Sequence, residues 1–490
     1  MVAKAGRIQK LFGKIPAQVL EIARALQREG GRVYLVGGAI RDVLLGMEPK
    51  DWDLGTTLQP PQVLSIFPSA EVDGIQFGRV RISGVDVVSF RSEGEYLDRR
   101  HPSRVELGAT VEDDLARRDF TVNAMALDLD RKELVDPFGG EADLQDRVIR
   151  TVGEAEARFS EDPLRILRAL RLKAQLGFNM APEVSSAVRK MASLVSSVSG
   201  QRCFSELQGI LLSPGAYPAI VELWDTGLLR VVLPEILGSA PILNSVPTSV
   251  WSGCHSTPFE PVEEAGSCGK GNGKGNGKGN GKGNGKGNGV SEALIGTGPQ
   301  RSMVAYIAKT VGYCPENLPV RLAALFHLAP PDAWEEASRR FGLSSKLSSH
   351  VKYLLSGSPL STGADPGYTV RKILKEAGPE KFADLVALEI AKSLAARGDA
   401  MSDVVVDLMA GVFASRRYPP ESYQKLRITG DDLMRESGIP RGPELGEVIA
   451  YLEEAVLRNP DENTKERLLV LVEEWRKNRL GRASNEGEEK

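Results

Sequence analysis

The 490 residues predict an α+β protein: a small mixed sheet in an N-terminal head, followed by a mostly α-helical remainder. Three observations carry this expectation. Short apolar runs punctuated by glycine pairs and turns fill the chain up to Asp128, apolar residues at helical spacing take over from Glu161, and a Gly-Lys-Gly-Asn repeat from Gly269 to Gly289 separates two helix-rich parts. The expected divisions are a head at 15–150, a helical neck at 151–238, an irregular low-complexity linker at 239–300, a helical body at 301–415 and a helical tail at 416–480.

Bulk properties exclude more than they assign. A formal net charge of -3 with 26% charged residues means that any nucleic-acid contact must come from local basic surface. Cys203, Cys254, Cys268 and Cys314 lack paired-ligand spacing, which argues against a zinc site or disulfide framework and fits a reducing cytoplasm. Met1 to Lys14 is basic without an apolar signal core, and no run is long and apolar enough to span a bilayer, so a soluble, unexported protein without membrane contact is expected. No obligate protein partner is evident.

Taken in order, Val19, Ile22, Ala23 and Leu26 give Pro16 to Glu29 a helical stripe, and Gly30-Gly31 stops it. A buried strand, Tyr34 to Val36, breaks at Gly37-Gly38, where backbone N–H groups can face an anion, and a helix follows from Ala39 to Leu45. Gly46 ends that helix. A second strand then carries Asp51 and Asp53 on one face, two hard oxygen ligands beside a phosphate cradle, a set that suits Mg²⁺. A Pro-started helix (Pro61 to Phe67) leads to a hairpin of Arg79 to Ile82 and Val85 to Phe90. Asp86 sits among valines there, either as a third site carboxylate or as a strand acid satisfied by Arg79 or Arg81. The polar stretch between Phe90 and Arg117 reads as a mobile loop, with His101 solvated on it, and Thr110-Val-Glu-Asp113 has capping-box spacing.

From Glu161 through Lys173 the pattern is one helix with acids and a proline in its first turn. Asp162, Arg165, Arg168 and Arg171 recur at three-residue steps, so one face carries an acid and three arginines. A carboxylate accepts from the exocyclic amine that C and A share, while a guanidinium donates to the neighbouring ring nitrogen; U and G present the opposite pattern. The same spacing also permits an ordinary surface ion pair.

Gly37-Gly38-x-x-Arg41-Asp42-x-x-Leu45-Gly46, followed by Asp51-x-Asp53, resembles the head of the class II tRNA nucleotidyltransferase and bacterial poly(A) polymerase family, a branch of the polymerase-β-like nucleotidyltransferases. The likeness continues through Arg117-Arg118-Asp119-Phe120-Thr121-Val122-Asn123, Asp136-Pro-Phe-Gly-Gly140, the Glu161-Asp162-x-x-Arg165 motif and a Gly-Leu-Leu…Leu-Pro-Glu close at Glu235. It implies template-independent addition of CMP and AMP from CTP and ATP to a tRNA 3′ end, with Asp51 and Asp53 as Mg²⁺ ligands. Asp86 would assist deprotonation or complete the coordination, Gly38, Arg41 and Arg118 would hold triphosphate or ribose, and Asn123 would support the sugar. Asp162 with Arg165 would choose the base, with Arg168 and Arg171 orienting the pair or neutralising phosphate.

The full-length loop after Phe90 argues, through the same resemblance, against an enzyme that adds only CC. Alternatives within the family are an A-adding enzyme or a poly(A) polymerase, the latter because Phe77-Gly-Arg-Val-Arg is similar to its basic motif; outside it stands an RNA-binding protein with an inactive head. Leu318 to Leu328 resembles the metal helix of an HD phosphohydrolase, but Leu328 replaces the Asp expected after His327, so no phosphohydrolase activity is predicted. Leu426 to Met434, Gly438 to Gly446 and Asn463 resemble the family's C-terminal region, where Arg427, Arg435 and Arg441 would hold the tRNA acceptor and TΨC arms.

Overall fold

The computed structural model describes residues 8–9, 11–72, 74–94, 103, 105–237, 298–356 and 365–485. Chain contacts divide it into two compact units, one built mainly before Ala305 and the other mainly after it, with Arg340–Gly342 belonging to the first. The Gly-Lys-Gly-Asn linker and His101 lie outside the described residues.

In the first unit α1 (Ala17–Arg28) buries its predicted stripe and leads to β1 (Val33–Val36), whose four residues are all buried. Then come α2 (Gly38–Leu44), β2 (Asp53–Thr56), α3 (Pro60–Ile66), β3 (Arg79–Ile82) and β4 (Val85–Ser89). Ser83 and Gly84, at φ 47° and 85°, make the β3–β4 turn, whose two left-handed residues match the twist of the strands. Strands β5 (Arg91–Glu93) and β6 (Val105–Leu107) pair with each other, α4 (Val111–Ala116) follows the Thr110–Asp113 capping box, and β7 (Ala126–Asp128) and β8 (Glu133–Val135) complete the main sheet. Its order is β3-β4-β2-β1-β7-β8, parallel only between β2 and β4. Apolar alternation drives the layering: Tyr34 and Phe90 meet edge to face over Gly55, where a Cβ would lie 2.4 Å from the Phe90 ring.

Three expectations need correction. Asp51 is not on a strand: β1 leaves the sheet at Gly37, so β2 has ladder partners only from Asp53, opposite Val36, and Asp51 sits on the exposed approach. The segment after Phe90 is not all loop, because Arg91–Glu93 and Val105–Leu107 form a ladder and Leu107 covers Gly78; residues 95–102 and 104 lie outside the described set. The helix expected from Glu161 is two helices, α5 (Gly140–Asp146) being followed by α6 (Ala155–Glu161) and α7 (Leu164–Leu176). Asp162 between them is extended (φ -142°, ψ 100°), since the following Pro163 disfavours helical geometry in the residue before it. Helices α9 (Gly200–Leu211) and α10 (Ala216–Asp225) pack on α7, while α8 (Pro182–Met191) packs on α6 and α11 (Leu228–Val232) on α10, and together they complete the neck.

The second unit is helical in its described residues. Its long helix, Pro366–Arg397, breaks at Gly378 (φ 83°) ahead of Pro379. Toward the C-terminus, Leu433, Val448, Leu452, Val456, Leu468 and Val472 form one core, entered by a Thr429–Asp432 capping box. Asn463 is buried there and satisfies the Arg427 N–H and the carbonyls of Ser422 and Lys425. Arg427 and Arg441 are exposed, whereas Arg435 is engaged by Asp432 and Glu436.

His327 ends the helix Leu318–Phe326, shares a 2.7 Å hydrogen bond between Nδ1 and the Ala324 carbonyl and meets the Tyr306 ring edge-on. Burial, helped by Lys392, lowers its pKa to about 4 despite that bond. A depressed histidine contributes stability that is complete above its unfolded value and is lost as pH falls through 6.5 toward 4. Urea unfolding at pH 7.5 and 5.0 therefore measures it: the native chain loses about 2 kcal/mol more than His327→Gln between those two pH values, from the usual conversion of 1.36 kcal/mol per pKa unit.

Candidate active site

The sheet register brings the site together. Val36 pairs with Asp53 and with Ala126, and Leu54 pairs with Val87, so Gly37, Asp53 and Asp86 share one end of the sheet. Gly37 turns with φ 75°, a conformation that glycine enters freely, and its N–H donates to the Met125 carbonyl. The space where a Gly37 side chain would stand is taken by Arg118, whose Nη1 lies 2.9 Å from the ideal Cβ position.

A cavity of about 480 Å³ opens at this end. Gly37, Gly38, Arg41, Asp53, Arg91 and Arg117 line one part of it; Arg118, Asp119, Asn123, Asp162, Arg165 and Arg168 line the rest. Six guanidinium groups thus face three carboxylates, a surplus of positive charge that suits a polyphosphate. Asp51, Asp86 and Arg171 stand outside the lining.

Asp53 is the perturbed carboxylate. Burial first, then the charges of Asp86 and Asp51, push its pKa up to about 6 against the pull of Arg118 and Arg79. The three acids are therefore electrostatic neighbours. Asp86 itself forms ion pairs with Arg79 (2.6 Å) and Arg81 (2.7 Å), the second of the arrangements open to it from the sequence. Burial opposes its charge, but those two arginines outweigh it and hold its carboxyl below the usual range. Among the described residues no three His, Cys, Asp or Glu side chains converge as a ready-made metal cage.

Arginines at the cavity are fixed by acids. Arg118 and Arg117 both bond the buried Asp114, one turn back on α4, and Arg118 also donates to the Asn123 carbonyl. Arg118 Nε is buried without a hydrogen-bond partner. Arg41 donates to the Asn123 side chain at 2.7 Å, and Asn123 donates to Asp119. Asp119 also takes Arg168, which bonds Glu206, which in turn takes Arg171. One hydrogen-bonded chain therefore runs from α2, beside the Gly37–Gly38 turn, to α7. Burial works against the Asp119 charge, yet Arg168, Asn123 and the Phe120 N–H outweigh it and keep its carboxyl well below the ordinary range.

Asp162 and Arg165, which the spacing also allowed as an i, i+3 ion pair, are held by other groups. With Asp162 extended ahead of Pro163, its carboxylate caps the Leu164 N–H and pairs with Arg202 at 2.8 Å. Arg165, 6% exposed, turns back to Glu161 and to the carbonyls of Arg158 and Arg117. Both side chains still line the cavity, separately held. Asp114, Asp119 and Glu206 were missed as site-forming residues. A signal for Asp114 was present, since arginines three and four positions after a helical acid announce the pairing; Glu206 lies on α9 and carries no local signal.

Residues 33–150 match the domain described as "Poly A polymerase head domain", 177–238 "Probable RNA and SrmB- binding site of polymerase A", and 414–472 tRNA nucleotidyltransferase domain 2. The chain is 42% identical over 215 residues to the CCA-adding enzyme of Geobacillus thermodenitrificans, which is 43% of this chain and 53% of that protein. To the Streptococcus pneumoniae CCA-adding enzyme it is 38% identical, over 46% of this chain and 57% of that one. The chain thus spans a little over half the length of the curated relatives it matches. Among solved structures, the Bacillus stearothermophilus CCA-adding enzyme in complex with CTP has TM-score 0.68 and 25% identity, covering 96% of this chain and 99% of that one. The Thermotoga maritima CCA-adding enzyme complexed with tRNA_CCA shares the fold, with TM-score 0.54 and 19% identity, over 95% and 98% of the two chains. With its sheet register, its arginine-lined cavity and these three matched segments, the chain is similar to the class II tRNA nucleotidyltransferase and bacterial poly(A) polymerase family.

Proposed function

We propose that this chain is a template-independent, Mg²⁺-dependent nucleotidyltransferase of the cytoplasm that adds CMP and AMP to the 3′ end of tRNA, releasing pyrophosphate. One observation carries the reading: a single cavity joins Asp53, the Gly37–Gly38 turn and the Asp162 and Arg165 side chains, in a chain whose head is similar to curated CCA-adding enzymes. The tRNA 3′-hydroxyl oxygen bonds to the nucleotide's α-phosphorus as the bond to the pyrophosphate breaks, and the hydroxyl proton passes to water.

The residues divide that work. Asp51 and Asp53 suit Mg²⁺ because they are hard oxygen donors in an acidic cluster that Arg118 and Arg79 only partly offset, and Mg²⁺ needs only one or two carboxylates when substrate phosphates and waters supply the rest. When bound, the ion would neutralise charge developing on the phosphates. Arg41 and Arg118 meet the triphosphate over the side-chain-free Gly37–Gly38 turn, with Arg168 behind them. Asp86, kept ionised by two arginines, acts as a fixed charge beside Asp53 rather than as a proton acceptor. Asp162 accepts from the exocyclic amine of C or A and Arg165 donates to the ring nitrogen, while Arg171, outside the cavity, steadies Glu206. Arg427 and Arg441, both exposed, suit the backbone of the tRNA acceptor and TΨC arms, and Arg435 less so because it is already paired.

The decisive experiment supplies CTP and ATP, singly and together, to tRNAs ending before CCA, after C and after CC. Completion of CCA on all three is expected; A-addition only to the CC-ended tRNA, long A tails or no extension would each replace this reading with a different one. Asp53→Ala should retain folding and tRNA binding while losing incorporation, and substantial residual incorporation would remove Asp53 from the metal role.

The raised pKa of Asp53 has a sign that can be measured without substrate. Its favourable contribution is complete below the unfolded value and is lost as pH rises through about 6, so in chelator Asp53→Asn should be more stable than the native chain at pH 8. Allowing for partial exposure, the gap is roughly 1–2 kcal/mol and narrows as pH falls toward 4. Gly37→Ala forces a side chain onto a φ of 75° and against Arg118. It should lower stability by roughly 1–3 kcal/mol and raise KM for CTP and ATP alike, read from thermal melts and steady-state kinetics.

A further inference from the structure

Three helices of the second unit bring polar side chains to one buried point. Asn317 stands just before the helix Leu318–Phe326, His350 lies on the helix Ser345–Leu355, and Asp384 lies on Pro366–Arg397 beyond its break at Gly378. Each of these helices packs on the other two. His350 and Asp384 are each only 7% exposed. The His350 Nε2 and Asp384 Oδ2 atoms are 3.1 Å apart, and Asn317 Nδ2 donates to the other carboxylate oxygen, Asp384 Oδ1, at 2.9 Å.

Hydrogen bonding leaves this cluster incomplete. His350 Nε2, Asp384 Oδ2 and Asn317 Oδ1 are all buried without a hydrogen-bond partner, the first two being close together but not aligned as donor and acceptor. Buried polar atoms are seldom left unmet, and three of them at one meeting point of helices call for a ligand. Two donors each about 2.0–2.2 Å from one ion, at tetrahedral or octahedral angles, stand roughly 2.8–3.6 Å from each other. The 3.1 Å between His350 and Asp384 falls inside that range. Charge points the same way: among the described residues no Lys or Arg pairs with Asp384, and Glu380, one turn before it, adds a second negative charge.

We propose that His350 Nε2, Asp384 Oδ2 and Asn317 Oδ1 form a site for one divalent transition-metal ion that ties the three helices together. An imidazole, a carboxylate and an amide oxygen make a mixed nitrogen and oxygen set, which suits Zn²⁺ and its neighbours better than Mg²⁺ or Ca²⁺, with water completing the coordination. The amide takes the place of the third His, Cys, Asp or Glu that a ready-made cage would have. Its Nδ2 also steadies the ligating carboxylate through Oδ1, the support that metal-bound carboxylates usually receive. The site is distinct from the proposed Mg²⁺ ligands, since Asp51 and Asp53 belong to the first unit, and it does not include His327.

Equilibrium dialysis of the full chain, stripped with chelator and returned to excess Mg²⁺, tests this with Zn²⁺ as the probe. One Zn²⁺ per chain should be held with Kd of about 1 μM or below, and the melting temperature should rise with it. His350→Gln and Asp384→Asn should each weaken that binding at least tenfold, whereas Asp53→Asn should leave it unchanged. His350→Cys keeps the test independent of variants that fold poorly: loaded with Co²⁺, it should show a thiolate charge-transfer band that the native chain lacks. Failure to hold Zn²⁺ in excess Mg²⁺ would overturn the proposal and leave the cluster a His–Asp pair met by water. Binding indifferent to His350→Gln and Asp384→Asn, binding lost in Asp53→Asn, or His350→Cys without the new band would overturn it too.

Discussion

The site depends on a run of charged groups and one amide that satisfy one another along the cavity: Arg41, Asn123, Asp119, Arg168, Glu206 and Arg171. Burying a guanidinium or carboxylate is costly unless its partner is present, and removal of one member leaves its neighbour uncompensated. The chain therefore couples three pieces of backbone far apart in sequence: the turn after β1, the 3₁₀ turn at Thr121–Asn123 and the neck helices α7 and α9. Orientation of the arginines is determined before any anion arrives, which is what a phosphate site needs if its donors are not to reorganise on binding.

Asp53 stands at the opposite electrostatic extreme. Its neighbours Asp51 and Asp86 raise its pKa while only Arg118 and Arg79 offset them, and Arg79 is already bonded to Asp86. One side of the cavity thus has cations matched to acids, and the other has an acid short of cations. In the proposed reaction a triphosphate with its cation would complete both sides at once, and the repulsion around Asp53 is a loss of stability at neutral pH.

Legibility in the sequence followed the range of the interactions. Elements set by local chemistry were readable: the Gly37–Gly38 turn, the Ser83–Gly84 hairpin, the Thr110 capping box and the stripe of α1 are each decided within a few residues. Asp51 was misplaced because the end of β2 is determined by where β1 leaves the sheet, a matter of pairing rather than of propensity. The ladder of Arg91–Glu93 with Val105–Leu107 was hidden because its residues are mostly polar and its partner strand is distant in the chain. Glu206 and Arg202 were invisible for the same reason: a helix elsewhere in the chain supplies them, and no spacing rule reaches that far.

Pro163 shows how one local rule reshaped the motif proposed to read the base. Periodicity alone placed Asp162 and Arg165 on one helical face as an i, i+3 pair, and paired in that way they would have spent their hydrogen bonds on each other. The proline forces Asp162 out of the helix, and the two side chains take separate supports: Arg202 and the Leu164 N–H for the acid, Glu161 and two carbonyls for the arginine. Separation is what recognition of a base edge requires, since the acceptor and the donor must meet two adjacent atoms of a ligand rather than one another. The break before Pro163, a flaw if α7 were only a packing helix, is therefore the feature that leaves both groups facing the same cavity.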